Sequence, residues 1–227
     1  MARALVFDVN ETLLDLGALR GPFARAFGDQ PPLGEWFARL LHGSLVATLT
    51  DTYEDFGTIG LRTLDALAVR RGVELTEAGR DEILGTMRRL PPHPEVPIAL
   101  ERLSAAGFRL ATLTNSSNET VRAQLAHAGL GDAFERVLSV EDVRRFKPAP
   151  EPYRMAAERL EIGVEEIRIV AAHDWDVWGA MRAGCAGAFV DRAGVGFALG
   201  EPPEVVGWDL EEVAERIIEV ERPPGGA

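Results

Sequence analysis

Spacing constrains this chain more tightly than composition does. Five short apolar runs read as buried strands, at 4–7 (ALVF), 108–113 (FRLATL), 137–139, 168–171 (RIVA) and 188–190. Helical periods precede or separate the later runs and stop at glycine: 98–106 before Gly107, 118–128 before Gly129, 152–160 ahead of Gly163, and 177–183 before Gly184. Parallel strands need a crossover between them, so this alternation specifies an α/β fold, a Rossmann-like parallel sheet with helices on both faces. A closing helix is expected over 209–219 and a frayed tail over 221–227.

One interval breaks the rhythm. A strand-helix-strand unit takes about 30 residues, yet about a hundred separate the first two strands. The stretch 16–87 has helical character, and Pro91, Pro92, Pro94 and Pro97 punctuate its end. The expected organisation is therefore a core of 1–14 and 97–227 with an inserted helical cap at 15–96. An insertion entering just after the first strand stands over that strand's end as a lid, where it excludes water and selects substrate.

Composition removes several classes of function. Apolar residues make up 46%, enough to fill a core, and the single Cys185 rules out a disulfide framework or a cysteine metal cluster. The net charge of −12 argues against nucleic acid and anionic membrane as partners, while leaving room for a small anionic substrate at a local cationic site. No apolar run approaches a membrane span, and residues 1–8 lack the long apolar stretch of a signal peptide, so the expectation is a cytoplasmic protein. No GxGxxG loop follows a strand.

In an open parallel sheet, ligands bind at the C-terminal edge of the strands. Four polar segments fall there: Asp8 in LVFDVNETLLDL, Thr114-Asn115-Ser116-Ser117, Lys147 in RFKPAPEPY, and His173-Asp174-Trp175-Asp176. Singly, each is explicable as a helix cap or a solvated charge. Together they put two acids and a lysine on one edge.

In this order the four segments resemble the motifs of the haloacid dehalogenase superfamily, and the helical interval resembles its cap. RFKPAPEPY, HDWDVWGA and TDTYEDF (50–56) are most similar to the L-2-haloacid dehalogenase (type II) branch. The resemblance implies a hydrolase working through an aspartyl ester: Asp8 as nucleophile, Lys147 keeping it ionised, Asp176 orienting Lys147 or assisting water. It further implies that Thr114 and Asn115 bind the substrate's anionic group, that Thr12 steadies the loop, and that Asn10 and Tyr153 belong to the substrate site. Type II relatives imply a homodimer.

Two departures weigh against the superfamily's magnesium-dependent phosphatases. Their second acid, two residues after the nucleophile, is Asn10 here, and an amide cannot protonate a leaving alkoxide. Their metal-binding aspartate, four residues before Asp176, is Ala172. Displacing halide from carbon requires neither group, so the expected enzyme is a metal-independent 2-haloacid dehalogenase-like hydrolase with no cofactor. The alternatives are a magnesium-dependent small-molecule phosphatase and a degenerate binding protein without turnover. The chain departs from the dehalogenases too. Phe37 takes the position of the cap arginine that receives the halide, with Arg39 two residues on as its candidate replacement. Ala171 and His173 take the positions of a serine and an asparagine. His173 reads either as the base that activates hydrolytic water or as a substitute hydrogen-bonding partner.

Overall fold

The computed structural model describes residues 4–28 and 30–221, so the expected tail lies outside the described residues except for Glu221. The chain starts with β1 (Ala4–Phe7), whose four side chains are all buried. Helices α1 (Arg20–Phe27), α2 (Leu33–Leu49), α3 (Phe56–Arg71) and α4 (Glu77–Met87) follow before the next strand. Their ends carry local signals: Asp55 accepts from the amide of Thr58 to start α3, and Thr76 from that of Gly79 to start α4. Pro97 falls inside the first turn of α5 (Val96–Ala105), where a missing amide hydrogen costs nothing.

The rest alternates: β2 (Arg109–Thr114), α6 (Asn118–His127), β3 (Arg136–Ser139), α7 (Pro150–Leu160), β4 (Ile167–Ala171), α8 (Asp174–Ala183) and β5 (Ala186–Val190). A sixth strand, β6 (Val205–Gly207), precedes α9 (Leu210–Glu221). The sequence reading missed β6, because three residues between prolines and a tryptophan are too few to show a period.

All pairings are parallel and the strand order is β3-β2-β1-β4-β5-β6. Alternate residues of β1 face opposite layers: Leu5 and Phe7 join Leu100, Leu103, Val121 and Ile217, whereas Ala4 and Val6 join Tyr153, Ala156, Val177 and Ala180. The chain leaves β1 in one direction across the sheet and returns in the other, so the strand order reverses between β1 and β4. At such a reversal the crossover helices diverge and leave a crevice at the strands' C-terminal ends.

Helices α1–α4 do not stand apart from this core. Trp36, Phe37, Leu40, Phe56, Ile59 and Met87 share one continuous apolar cluster with Phe7, Leu13 and Leu14. Among the described residues, no helix is long and apolar enough to cross a membrane.

Candidate active site

Asp8 follows β1 directly, and its amide still donates to Val170 O of β4 at 3.0 Å, which fixes its backbone to the sheet. The chain then curls. Leu13 and Leu14 both donate to Val9 O, and Glu11 takes a φ of 64°. This turn brings the Thr12 hydroxyl back to donate to Asp8 Oδ2 at 2.7 Å while accepting from the amide of Ala172 at 2.9 Å. Arg192 secures the same turn by donating to Thr12 O, and it pairs with Glu95 at 2.7 Å.

Lys147 Nζ lies between the two acids, 2.8 Å from Asp8 Oδ1 and 2.6 Å from Asp176 Oδ2, and donates as well to Leu113 O at 2.8 Å. Its own amide donates to Asn115 Oδ1 at 3.0 Å. Tyr153 donates to Asp176 Oδ1 at 2.6 Å. Asp176 comes so close to the Lys147 loop because α8 packs against Pro148 at Gly179. A Cβ there would stand 2.3 Å from Pro148 Cβ and 2.8 Å from its carbonyl oxygen.

The electrostatics follow from this packing. Burial alone would raise the pKa of Asp8, but the charges of Lys147 and His173 and the hydrogen bonds from Lys147 and Thr12 outweigh it, so Asp8 is held below the ordinary value of 3.8. At Asp176 burial prevails over Lys147, with the charge of Asp8 adding to it, and the pKa is raised. Burial pulls Lys147 down, but Asp176 and Asp8 together hold it above 10.5. The two carboxyls thus differ in character: Asp8 is an ionised group at the edge of the crevice, and Asp176 is sealed behind the lysine with no exposure.

Of the other expected residues, several serve the protein rather than a ligand. Tyr153 is fully buried behind Asp176, so the expectation that it touches substrate is corrected: it orients Asp176. Thr12 and Thr114 have no exposure either; Thr114 Oγ1 accepts from the amide of Ser116. Asn10 is held on both sides, donating to Ser116 Oγ at 3.1 Å and accepting from Gln124 at 3.0 Å. Arg39 is also corrected. It does not turn into the crevice but pairs with Glu35 on the outer side of α2, 3.0 Å away. Leu45, farther along the same helix, is 40% exposed. Phe37 does face inward, its ring 5.9 Å from that of His173. His173 in turn stacks on Trp175 at 5.1 Å. Phe37, His173, Glu11, Arg20 and Arg192 line a cavity of about 840 Å³ beside the nucleophile turn.

Sequence reading missed Gln124, Gly179 and Arg192. Gln124 left one signal, a polar residue beside Leu125 and three after Val121 on the buried side of α6. Among the described residues, no group of three or more His, Cys, Asp or Glu is disposed to hold a metal.

Comparison with known proteins places the chain among characterised hydrolases. A family described as haloacid dehalogenase-like hydrolase matches residues 2–184. An (S)-2-haloacid dehalogenase of Pseudomonas sp. (strain YL) is 29% identical over 219 residues, covering 94% of this chain and 93% of the relative. (S)-2-Haloacid dehalogenase 1 of Pseudomonas sp. (strain CBS-3) is 31% identical over 180 residues, 78% of this chain and 79% of its own. The structure of L-2-haloacid dehalogenase from Xanthobacter autotrophicus with chloropropionic acid covalently bound superposes with a TM-score of 0.86 at 26% identity, over 96% of this chain and 98% of the other.

Proposed function

The chain belongs to the haloacid dehalogenase-like hydrolases, and on that footing we propose that it hydrolyses a small 2-haloacid through an ester on Asp8, without a metal ion. The observation that carries this reading is the Asp8–Lys147–Asp176 cluster at the reversal point of the sheet. An ionised carboxylate held by a buried cation is an oriented nucleophile. One oxygen of Asp8 displaces halide from C2 of the substrate, giving an aspartyl ester and free halide. Water then attacks the ester carbonyl, releases the 2-hydroxy acid and restores Asp8. Lys147 balances charge in both steps, while Tyr153 and Asp176 keep Lys147 in place. Asn115, whose carbonyl oxygen is engaged by Lys147 N–H, has its amide nitrogen available to the substrate carboxylate.

Residues 15–96 serve as the cap. Thr48 on α2 supports that assignment, since its hydroxyl accepts from the amide of Phe146 and its carbonyl from Arg145, the two residues leading into Lys147. Exposed Leu45, Val46 and Leu49 on the same helix support a homodimer, which sedimentation would measure.

A magnesium-dependent phosphatase fits these residues poorly. Ala172 offers no side-chain oxygen where a metal ligand is needed, and the Asn10 amide is occupied by Ser116 and Gln124.

The test is halide release from chloroacetate and (S)-2-chloropropionate in the presence of a strong chelator, with one turnover run in heavy-oxygen water. Label should enter the peptide carrying Asp8. Asp8→Asn should lower turnover by about 10⁴-fold or more with the fold retained by circular dichroism. Magnesium-dependent phosphate release from an aryl phosphate, with no halide release, would sink the proposal.

A further inference from the structure

The loop that carries Lys147 is held from two directions. From the core, Asn115 Oδ1 accepts from the amide of Lys147 at 3.0 Å, and Pro148 packs on Gly179 of α8. From the other side, α2 and the segment leading into α3 grip the three residues before the lysine. Arg144 stands over the ring of Tyr53, 5.2 Å from its centroid. Arg145 donates to Thr48 O at 2.7 Å. The amide of Phe146 donates to Thr48 Oγ1 at 3.0 Å, while the Phe146 ring stacks on Tyr53 at 5.0 Å and meets Phe56 at 6.1 Å.

Thr48 departs from the hydroxyl residues around it. A serine or threonine inside a helix commonly donates to the carbonyl four residues back. Ser44 does so to Leu40 O at 2.9 Å, and Thr50 to Val46 O at 2.8 Å. The Thr48 oxygen instead receives an amide 98 residues away, immediately before the lysine of the ion cluster. Phe146 has no exposure, so its amide cannot turn to water if that oxygen is removed. One hydroxyl on α2 therefore fixes the backbone from which Lys147 reaches Asp8.

We propose that Thr48 is a positioning residue for Lys147: through the amide of Phe146 it keeps the ammonium beside Asp8 while Asp8 is esterified. The inference rests on the ester reading above and adds to it a residue of α2. In the free enzyme Lys147 is drawn to two carboxylates, Asp8 at 2.8 Å and Asp176 at 2.6 Å. Forming the ester removes the charge of Asp8, and the ammonium is then drawn to Asp176 alone. Lys147 still has to stand where negative charge develops on the Asp8 carbonyl oxygen as the ester is hydrolysed. The ion pair that held it there is gone at that moment. The hydrogen bond from Phe146 N–H to Thr48 does not depend on the charge of Asp8, so it persists through the cycle and keeps the lysine forward.

The experiment is rapid-quench kinetics with excess chloroacetate on the full chain, reading halide release and, by peptide mass, the fraction of Asp8 esterified. Thr48→Val keeps the shape of the side chain and removes the acceptor. Its halide burst should stay within about threefold of the parent, while ester hydrolysis slows about tenfold and ester accumulates. Thr48→Ala should act in the same direction, and Thr48→Ser, which restores the oxygen, should return hydrolysis to within about twofold of the parent. Ser44→Ala removes a hydroxyl whose bond stays within α2, and should leave the ratio of the two steps at the parental value even where it lowers the melting temperature. That contrast separates positioning of Lys147 from simple weakening of the helix. Parental hydrolysis in both Thr48→Val and Thr48→Ala would overturn the role of Thr48 and leave the ester mechanism standing. Slowing that Thr48→Ser does not relieve, or that Ser44→Ala reproduces, would overturn it too. No halide and no ester from the parent enzyme would bring down the ester reading and this inference together.

Discussion

The two walls of the crevice obey opposite rules. On the core wall every charge is buried and answered: Lys147 meets two carboxylates and a carbonyl, and Asp176 meets a lysine and a phenol. A buried ion cluster persists only when all its members are satisfied, so this wall tolerates almost no change. The cap wall instead presents Phe37, tilted against His173, and leaves Arg39 outside on Glu35. An aromatic ring makes no electrostatic demand on its neighbours, so this wall can change identity without breaking the fold. On the proposed reading the difference separates chemistry from selectivity: the nucleophile belongs to the rigid sheet edge, and substrate preference to the helices laid over it.

Breaking the core wall should have the larger effects. Lys147→Met leaves Asp8 and Asp176 as neighbouring buried carboxyls with no cation, and should cost about 3–5 kcal/mol in denaturant unfolding as well as activity. Its stability should also become more strongly pH-dependent between pH 7 and 5. In the parent, Asp8 is held low, and the stability it contributes is present above 3.8 and lost only as pH falls through its lowered value. In the variant, both carboxyls prefer their neutral forms, the native state binds more protons than the unfolded chain, and stability should rise as pH falls. Gly179→Ala should follow, at about 1–3 kcal/mol, because the new methyl meets Pro148 and pushes α8 and Asp176 away from Lys147. A fall in kcat larger than any change in KM would show that the lysine has moved.

The cap wall should respond more gently. Phe37→Arg places a cation on the cavity lining and should lower KM for chloroacetate about tenfold, equivalent to ~1.4 kcal/mol. Lost ring burial should cost about 1–2 kcal/mol in thermal unfolding. A KM that does not fall would show that the two walls share control of substrate binding. Arg39→Ala should change least, with kcat and KM within about twofold and stability within ~0.5 kcal/mol, as expected for an exposed i,i+4 pair.

The layered α/β architecture and the cluster at the strand ends were legible because both rest on local rules. Apolar runs of strand length, with helical periods closed by glycine, imply crossovers, and crossovers set parallel strands whose C-terminal ends converge. Asp8, Lys147 and Asp176 could be named from their places after such strands. Arg39 was misread because two residues along a helix turn a side chain by about 200°: with Phe37 facing the crevice, Arg39 must face away. Tyr153 was misread because spacing reports that a residue is near a site without reporting which side of it the residue occupies.

What remained for the tertiary structure were the contacts between elements far apart along the chain. Gln124 reaches Asn10 across 114 residues and Arg192 reaches Thr12 across 180. The approach of α8 to Pro148 at Gly179, and the pairing of Glu11 with His173, likewise appear only once the sheet has brought distant segments within a few ångströms. Periodicity and strand ends determine which groups arrive at the edge, since backbone geometry repeats along the chain. Which hydrogen bond each group makes there is decided by packing, because the partners are set by three-dimensional proximity.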